Sequence, residues 1–224
     1  MWIYLVTIFS IYFIGLLLLI VGWKRVGRLR KTSAVQRFVS VVVAVRNEAN
    51  TVPALVDSLA RQNYGLTNYE VLLINDHSED STQEIIDDLI NRYPTLKIRT
   101  QLSNGIGKKQ ALTTGIEIAS GEIILTTDAD CQVPANWVEN MIESFNPDTH
   151  MVVGSVKVLP DKTFFSKLQA MEFASVIGTG FAMLGWKLPV MCNGASLAFT
   201  RQSFYEVEGY QGNQQIPSGD DEFL

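Results

Sequence analysis

From Phe38 onward, short apolar runs alternate with segments whose apolar residues recur at helical spacing, and this repetition constrains the fold more than any other feature. Phe38-Val-Ser-Val-Val-Val-Ala-Val is rich in β-branched residues and holds no turn residue, which predicts a buried strand. Asn50 or Thr51 then stands where a helix cap belongs, ahead of Val52, Leu55, Val56 and Leu59 on one helical face, with Pro53 tolerated in the first turn. Residues 70–75 predict a second strand, and Ser81-x-x-Glu84 spells a capping box before Ile85, Ile86, Leu89 and Ile90. A third strand over 97–100, a helix over 109–119 ending near Gly121, a fourth strand over 123–127 and another over 151–158 continue the series. Such repetition predicts an α/β domain: a mostly parallel sheet with helices on both faces and its ligand at the carboxyl ends of the strands.

A different physics governs the front of the chain. Met1 to Trp23 contains no charged side chain and is long enough to cross a bilayer, for which about 20 apolar residues suffice. A cleaved signal peptide is the competing reading, but no basic residue precedes the apolar run and no small-residue cleavage site follows it. Instead Lys24, Arg25, Arg28, Arg30, Lys31 and Arg37 crowd behind it, so a transmembrane helix is expected with the rest of the chain on the cytoplasmic side of the cell's inner (plasma) membrane. Those six residues are part of a total of 18 basic side chains against 23 acidic ones, and none of the acidic ones lies before residue 38. A basic tether suits anionic headgroups, whereas the acidic body argues against nucleic-acid binding. Cys131 and Cys192 lie far apart without Cys or His companions, which fits reduced thiols and neither a zinc site nor a disulfide framework.

The predicted carboxyl ends carry the chemistry. Strand one ends at Ala44-Val45-Arg46-Asn47-Glu48, strand two at Asn75-Asp76-His77-Ser78, and strand four at Asp128-Ala129-Asp130. If the last pair continues the strand, both carboxylates project to one side, where they could grip one hard cation and through it a diphosphate. The plain alternative is that Asp128 and Asp130 are turn formers. Asn104-Gly105-Ile106-Gly107-Lys108-Lys109 lies between strands three and four, with glycines that let backbone approach an anion and lysines near a helix start. Taken singly, Glu48 and Ser78 also suit helix caps, His77 a solvated loop, and Lys108 and Lys109 surface charge.

Four segments in order, Val-Ser-Val-Val-Val-Ala-Val-Arg-Asn-Glu, Ile-Asn-Asp-His-Ser-Glu-Asp-Ser-Thr, Gly-Lys-Lys-Gln-Ala-Leu and Thr-Asp-Ala-Asp-Cys, resemble the inverting family 2 glycosyltransferases with the GT-A fold. The resemblance spans about residues 38–224, and it divides the chain into an anchor over 1–23, a basic linker over 24–37 and a GT-A domain over 38–224. It implies that Ala44 and Glu48 border the nucleotide, Asp76 hydrogen-bonds the base and Lys108 lies near base and phosphates. Asp128 would face ribose and diphosphate, and Asp130, with Asp128, would hold Mg²⁺ or Mn²⁺. Gly194, Ala195 and Ser196 belong to a segment resembling the one beside donor and acceptor, and Gly209-Tyr210 resembles the Gly-Gly-Phe element, with Glu208 in place of its first glycine. Asp220 and Asp221 resemble the acidic pair that supplies the catalytic base, a role implied for Asp221; an acidic helix start is the plainer reading of both.

The implied reaction moves a sugar from a nucleotide-sugar, a UDP-sugar, to a hydroxyl of a glycan or lipid acceptor at the membrane. Rival readings are a nucleotide-binding scaffold without activity, a nucleotidyltransferase, whose glycine-rich motif should follow strand one, and a phosphatase, whose Asp-x-Asp should follow the first strand. Arg46-Asn47-Glu48 contains no glycine, and Asp128-Ala129-Asp130 follows the fourth strand. Phe164 to Val190 is apolar but carries Lys167, Glu172, Gly178, Gly180 and Gly185, so an amphipathic segment packed on the domain or along the membrane is expected rather than a second span. The chain stops three residues after Asp221, which suggests that further membrane helices follow in the full protein.

Overall fold

The computed structural model describes residues 2–26, 37–213 and 219. The chain forms two compact units, one built from Met1–Arg30 with Ser155–Cys192 and the other from Lys31–Gly154 with Asn193–Leu224.

The second unit is the α/β body. Its elements are β1 (Val39–Val45), a helix α2 (Val52–Ala60), β2 (Tyr69–Asn75), α3 (Thr82–Arg92), β3 (Lys97–Leu102), α4 (Lys108–Ile118), β4 (Ile123–Thr126), α5 (Trp137–Glu143), β5 (Met151–Val153), β6 (Leu197–Thr200) and α7 (Arg201–Glu206). Among the described residues they make one six-stranded sheet in the order β3-β2-β1-β4-β6-β5. β1 pairs parallel with both β2 and β4, and β2 with β3. Every residue of β2, and all but Ala44 of β1, is buried, as expected of central parallel strands that read as continuous apolar runs. The predicted stripe on α2 holds: Val52, Leu55, Val56 and Leu59 are all fully buried in the core.

Several details differ from expectation. Ser81 does stand at the N-cap of α3 but accepts no side-chain cap bond, so the capping box does not form. Asp80 supplies the acceptor instead, taking the Thr82 N–H at 3.0 Å. The strand expected over 151–158 stops at Val153: the Gly154 N–H adds one more bond in register, to the Ser196 carbonyl at 2.7 Å, beyond which the facing residues Gly194–Ser196 form a 3₁₀ turn and offer no strand to pair with. Any Cβ at Gly154 would lie 2.0 Å from Ser196 Oγ, so only glycine permits that approach. β6, which the sequence did not suggest as a strand, inserts antiparallel between β4 and β5.

The edge opposite the predicted ligand side is held by a buried carboxylate. Glu70 accepts from Ser40 Oγ at 2.8 Å and from the Ser120 N–H at 2.7 Å, and it pairs with Lys97 at 3.1 Å and Arg99 at 3.3 Å. Arg99 also donates to the Ile118 carbonyl at 3.1 Å. One side chain thereby ties β1, β3 and the end of α4 to β2. Burial alone would raise its pKa, but the Ser120 N–H, the Ser40 hydroxyl and Lys97 outweigh that cost and hold it at about 2.

The first unit pairs helix α1 (Trp2–Val26) with helix α6 (Phe164–Leu184). Helix α1 is long and apolar enough to cross a membrane. Its Gly22 meets α6 so closely that a Cβ there would sit 2.1 Å from the Ala182 carbonyl oxygen. Small residues are what allow two helix backbones this near each other. Around the crossing, Trp23 meets Phe181 edge to face at 5.9 Å, Trp186 donates to the Leu18 carbonyl at 2.9 Å, and Arg25 lies 3.8 Å over the Trp186 ring. Gly178 and Gly180, expected to interrupt the segment, lie inside α6, and the helix ends only at Gly185. Nor is α6 amphipathic: Phe164, Phe165, Leu168, Met171 and Val176 are exposed, and only Gly180 and Ala182 are fully buried.

Candidate active site

The ends of β1, β2 and β4 and the start of α4 enclose a cavity of about 440 Å³ lined by Ala44, Val45, Arg46, Glu48, Asp76, Gly107, Lys108, Asp128, Ala129 and Asp130. It lies at the carboxyl edge of the sheet, where parallel strands leave their crevice. Ala44, Glu48, Asp76, Lys108, Asp128 and Asp130 thus meet in one place although they span residues 44–130.

Local backbone explains how each loop reaches the rim. Asn47 and His77 both adopt left-handed conformations, with φ of 57° in each, two residues after the ends of β1 and β2 respectively. The two loops interlock: the Asn47 N–H donates to Ser78 Oγ at 3.0 Å, the Glu79 N–H to Asn47 Oδ1 at 2.8 Å, and the Glu48 N–H to Thr82 Oγ1 at 2.9 Å. Asp80 accepts from Thr82 and from the Ala49 N–H, and the Thr82 hydroxyl is the largest of the causes that lower its pKa. Asp76 is 4% exposed; its Oδ1 accepts from the Gly107 N–H at 2.8 Å and its Oδ2 lies 3.7 Å from Arg46. The carboxylate of β2 therefore fixes the glycine turn that starts α4 and places Lys108 over the cavity. Lys108 Nζ in turn lies 2.8 Å from Asp128 Oδ1.

The Asp-x-Asp pair is not presented by a strand. β4 ends at Thr126, and a turn closed by the Cys131 N–H to the Asp128 carbonyl, at 3.1 Å, carries both carboxylates. The turn, rather than the strand pleat, brings them together with Cys131, so that one ligand atom from each lies within 4.8 Å of the others. Burial, followed by the negative charge of Asp128 and Asp130, raises the Cys131 pKa. A protonated thiol is a poor ligand, while two carboxylates with open positions around them suit a hard ion such as Mg²⁺ or Mn²⁺. Four carboxylates and two cationic side chains line the cavity, so an anionic ligand needs further positive charge to enter; the donor set fits such an ion.

The remaining predicted positions lie elsewhere. Gly194, Ala195 and Ser196 form a buried 3₁₀ turn that does not line the cavity. It braces β4 from behind: Thr126 Oγ1 donates to the Gly194 carbonyl at 2.8 Å, and Trp137 Nε1 to Ser196 Oγ at 2.9 Å. Asp220 and Asp221 lie outside the described residues. Gly107, expected from the sequence to let backbone approach an anion, does line the cavity, whereas Arg46 was missed as a lining residue. Arg46 could have been found from its place as the cation at the end of the first strand among acidic loops. Cys131 could have been found from its adjacency to the Asp-x-Asp pair.

The sequence profile described as Glycosyl transferase family 2 matches residues 40–208. The chain belongs to that family. Among curated members, it is 32% identical over 142 residues to the poly-β-1,6-N-acetyl-D-glucosamine synthase of Staphylococcus epidermidis, covering 62% of this chain and 34% of that protein. It is 35% identical over 123 residues to the β-monoglucosyldiacylglycerol synthase of a Nostoc species, covering 54% and 25% of the two. To the undecaprenyl-phosphate 4-deoxy-4-formamido-L-arabinose transferase of Aeromonas hydrophila it is 32% identical over 132 residues, covering 58% and 40%. The chain thus spans between a quarter and two fifths of these relatives' lengths. A family-like fold also appears in a mannosyltransferase from Pyrobaculum calidifontis solved with GDP-mannose and Mn²⁺: TM-score 0.65, 21% identity, 86% of this chain and 55% of that one. The architecture is the expected GT-A fold.

Proposed function

We propose that this chain carries the catalytic part of a membrane-anchored inverting glycosyltransferase, which moves a sugar from a UDP-sugar to a hydroxyl of a glycan or lipid acceptor. The observation that carries the reading is the convergence of Ala44, Glu48, Asp76, Lys108, Asp128 and Asp130 on one cavity at the carboxyl edge of the sheet. Residues 1–23 anchor the chain, 24–37 form a basic linker, and 38–224 form the transferase domain on the cytoplasmic face of the inner membrane. In this reading Ala44 and Glu48 border the nucleotide, and Asp76, already fixed by the Gly107 N–H, meets the base. Asp128 faces ribose and diphosphate.

Lys108 stabilises the negative charge that develops on the departing nucleoside diphosphate, exchanging its Asp128 partner for phosphate oxygens. Mg²⁺ or Mn²⁺ held by Asp130 and Asp128 would supply further positive charge to the same oxygens. Asp221 accepts the proton of the attacking hydroxyl, Asp220 supports it, and attack from the face opposite the leaving group inverts the anomeric carbon. The buried turn Gly194-Ala195-Ser196, on the acceptor side in this reading, acts through backbone and through its brace on β4, since all three residues are buried.

The test is thermal unfolding with UDP, in the presence of Mn²⁺ and then of a chelator. UDP raises the melting temperature with Mn²⁺ and much less without it, and Asp130→Asn abolishes the difference. Full metal-dependent stabilisation of Asp130→Asn removes the central claim. GDP in place of UDP tests the base, and hydrolysis of the donor separates an enzyme from an inactive scaffold.

A further inference from the structure

A second cavity, of about 540 Å³, lies on the outer side of α4 and shares no lining residue with the first. Gln110, Thr113 and Glu117 wall it from one face of α4, at spacings of three and four residues, and Tyr205, Glu208 and Gln211 wall it from the segment after β6. Its volume falls in the range of small-molecule sites, about 300–1,000 Å³. Tyr205 is 52% exposed, and Phe204 meets its ring edge to face at 5.7 Å. Phe204 is itself fixed by Phe199 at 5.8 Å and Tyr210 at 5.6 Å. A half-exposed aromatic side chain, braced on one side, thereby lines the cavity together with amides, a hydroxyl and carboxylates.

Glu208 stands just past the end of α7, where helices commonly close with a left-handed residue, and the Gly209 N–H bonds back to the Phe204 carbonyl at 2.8 Å. The φ of Glu208 is 60°, in the left-handed region that a glycine occupies freely and a glutamate does not. The following Gly209 is also left-handed, with φ of 54°, and there a Cβ would lie 2.5 Å from the Phe204 ring. At position 209 glycine is required. At position 208 the chain carries a glutamate at some conformational cost, and that residue lines the cavity.

We propose that this cavity is a second carbohydrate-binding site, for a neutral oligosaccharide. The C–H face of a pyranose packs on an aromatic ring, while its hydroxyls donate to carboxylates and exchange hydrogen bonds with amides. Glu117 and Glu208 favour hydroxyl donors and repel phosphates and uronates. A site of this kind holds a glycan away from the donor cavity, and its binding does not require that the donor cavity be catalytic.

Saturation-transfer NMR on the full chain, in a detergent without a sugar headgroup and with UDP and Mn²⁺ filling the first cavity, tests it. The probes are cellotetraose and tetra-N-acetylchitotetraose, with tetragalacturonate as the anionic counterpart. At least one neutral tetrasaccharide binds, tetragalacturonate does not, and Tyr205→Ala weakens binding about tenfold or more. Glu208→Gly suits the left-handed backbone, so it keeps the melting temperature within a few degrees while weakening the neutral probe. Failure of the wild-type chain to bind either neutral probe, unchanged binding by Tyr205→Ala, or equal binding of tetragalacturonate overturns the proposal. UDP-dependent stabilisation without any glycan binding would sink this site and leave the transferase reading standing; glycan binding without UDP stabilisation would do the reverse.

Discussion

Replacing Glu70 by glutamine measures how far one buried carboxylate holds the sheet together. Glutamine has the shape of the protonated acid but no charge for Lys97 and Arg99: its carbonyl oxygen can keep the bonds from Ser40 and the Ser120 N–H at Oε1, while its amide nitrogen turns a donor toward Lys97 and Arg99, which both donate at Oε2. The distance between about 2 in the folded chain and 4.5 for an ordinary glutamate corresponds to about 3 kcal/mol of stability. For an α/β body of this size, that loss lowers the melting temperature by roughly 6–12 °C. Because the folded pKa is depressed, the contribution is complete above about pH 4.5 and disappears as pH falls toward 2. Thermal unfolding of wild type and Glu70→Gln, measured from pH 7 down to pH 2.5, therefore shows a wide gap that narrows through the acid range. A gap below about 2 °C at pH 7, or one of constant width down to pH 2.5, would refute the reasoning.

Asp221→Asn cuts transfer by about 10²-fold or more with little change in UDP affinity, while Asp220→Asn does less; turnover and UDP binding of both variants check this, and the reverse order moves the base one residue back. A reporter fused after His150 is active only on the cytoplasmic side, and activity across the membrane overturns the orientation drawn from Lys24 and Arg25. Gly22→Leu separates α1 from α6 while leaving the α/β body intact. Loss of protection from exchange in α6 alone is the expected readout, and unchanged protection would show that the close approach at Gly22 is not what joins the helices.

Most of the convergence at the carboxyl edge of the sheet was legible because its information is local. Runs such as Val39–Val45 announce buried strands by their own composition, and each is followed within a few residues by its polar tip. What stayed hidden depends on partners distant in the chain. Leu197–Thr200 is only four residues, and nothing in them says that they insert antiparallel between Ile123–Thr126 and Met151–Val153. Glu70 looks like the polar start of a strand until Ser40 and Ser120, 30 and 50 residues away, are brought to it. The Asp-x-Asp pair was found by composition, although the strand geometry invoked for it was wrong, since a turn delivers the same convergence.

The order in which the chain is made gives the α1–α6 pairing a kinetic meaning. Helix α1 leaves the ribosome well before its partner, which starts only at Phe164, more than a hundred residues later. At about 5–20 residues per second, α1 waits on the order of ten seconds before α6 is there to cover Gly22. The sheet is interrupted by the same excursion: among the described residues β5 pairs only with β6, and β6 is synthesised after α6. The edge of the body nearest the Asp-x-Asp turn therefore closes last, after the helical unit has been completed, so that a truncation or stall before Leu197 leaves β4 with an open edge and its two carboxylates without the Gly194 brace.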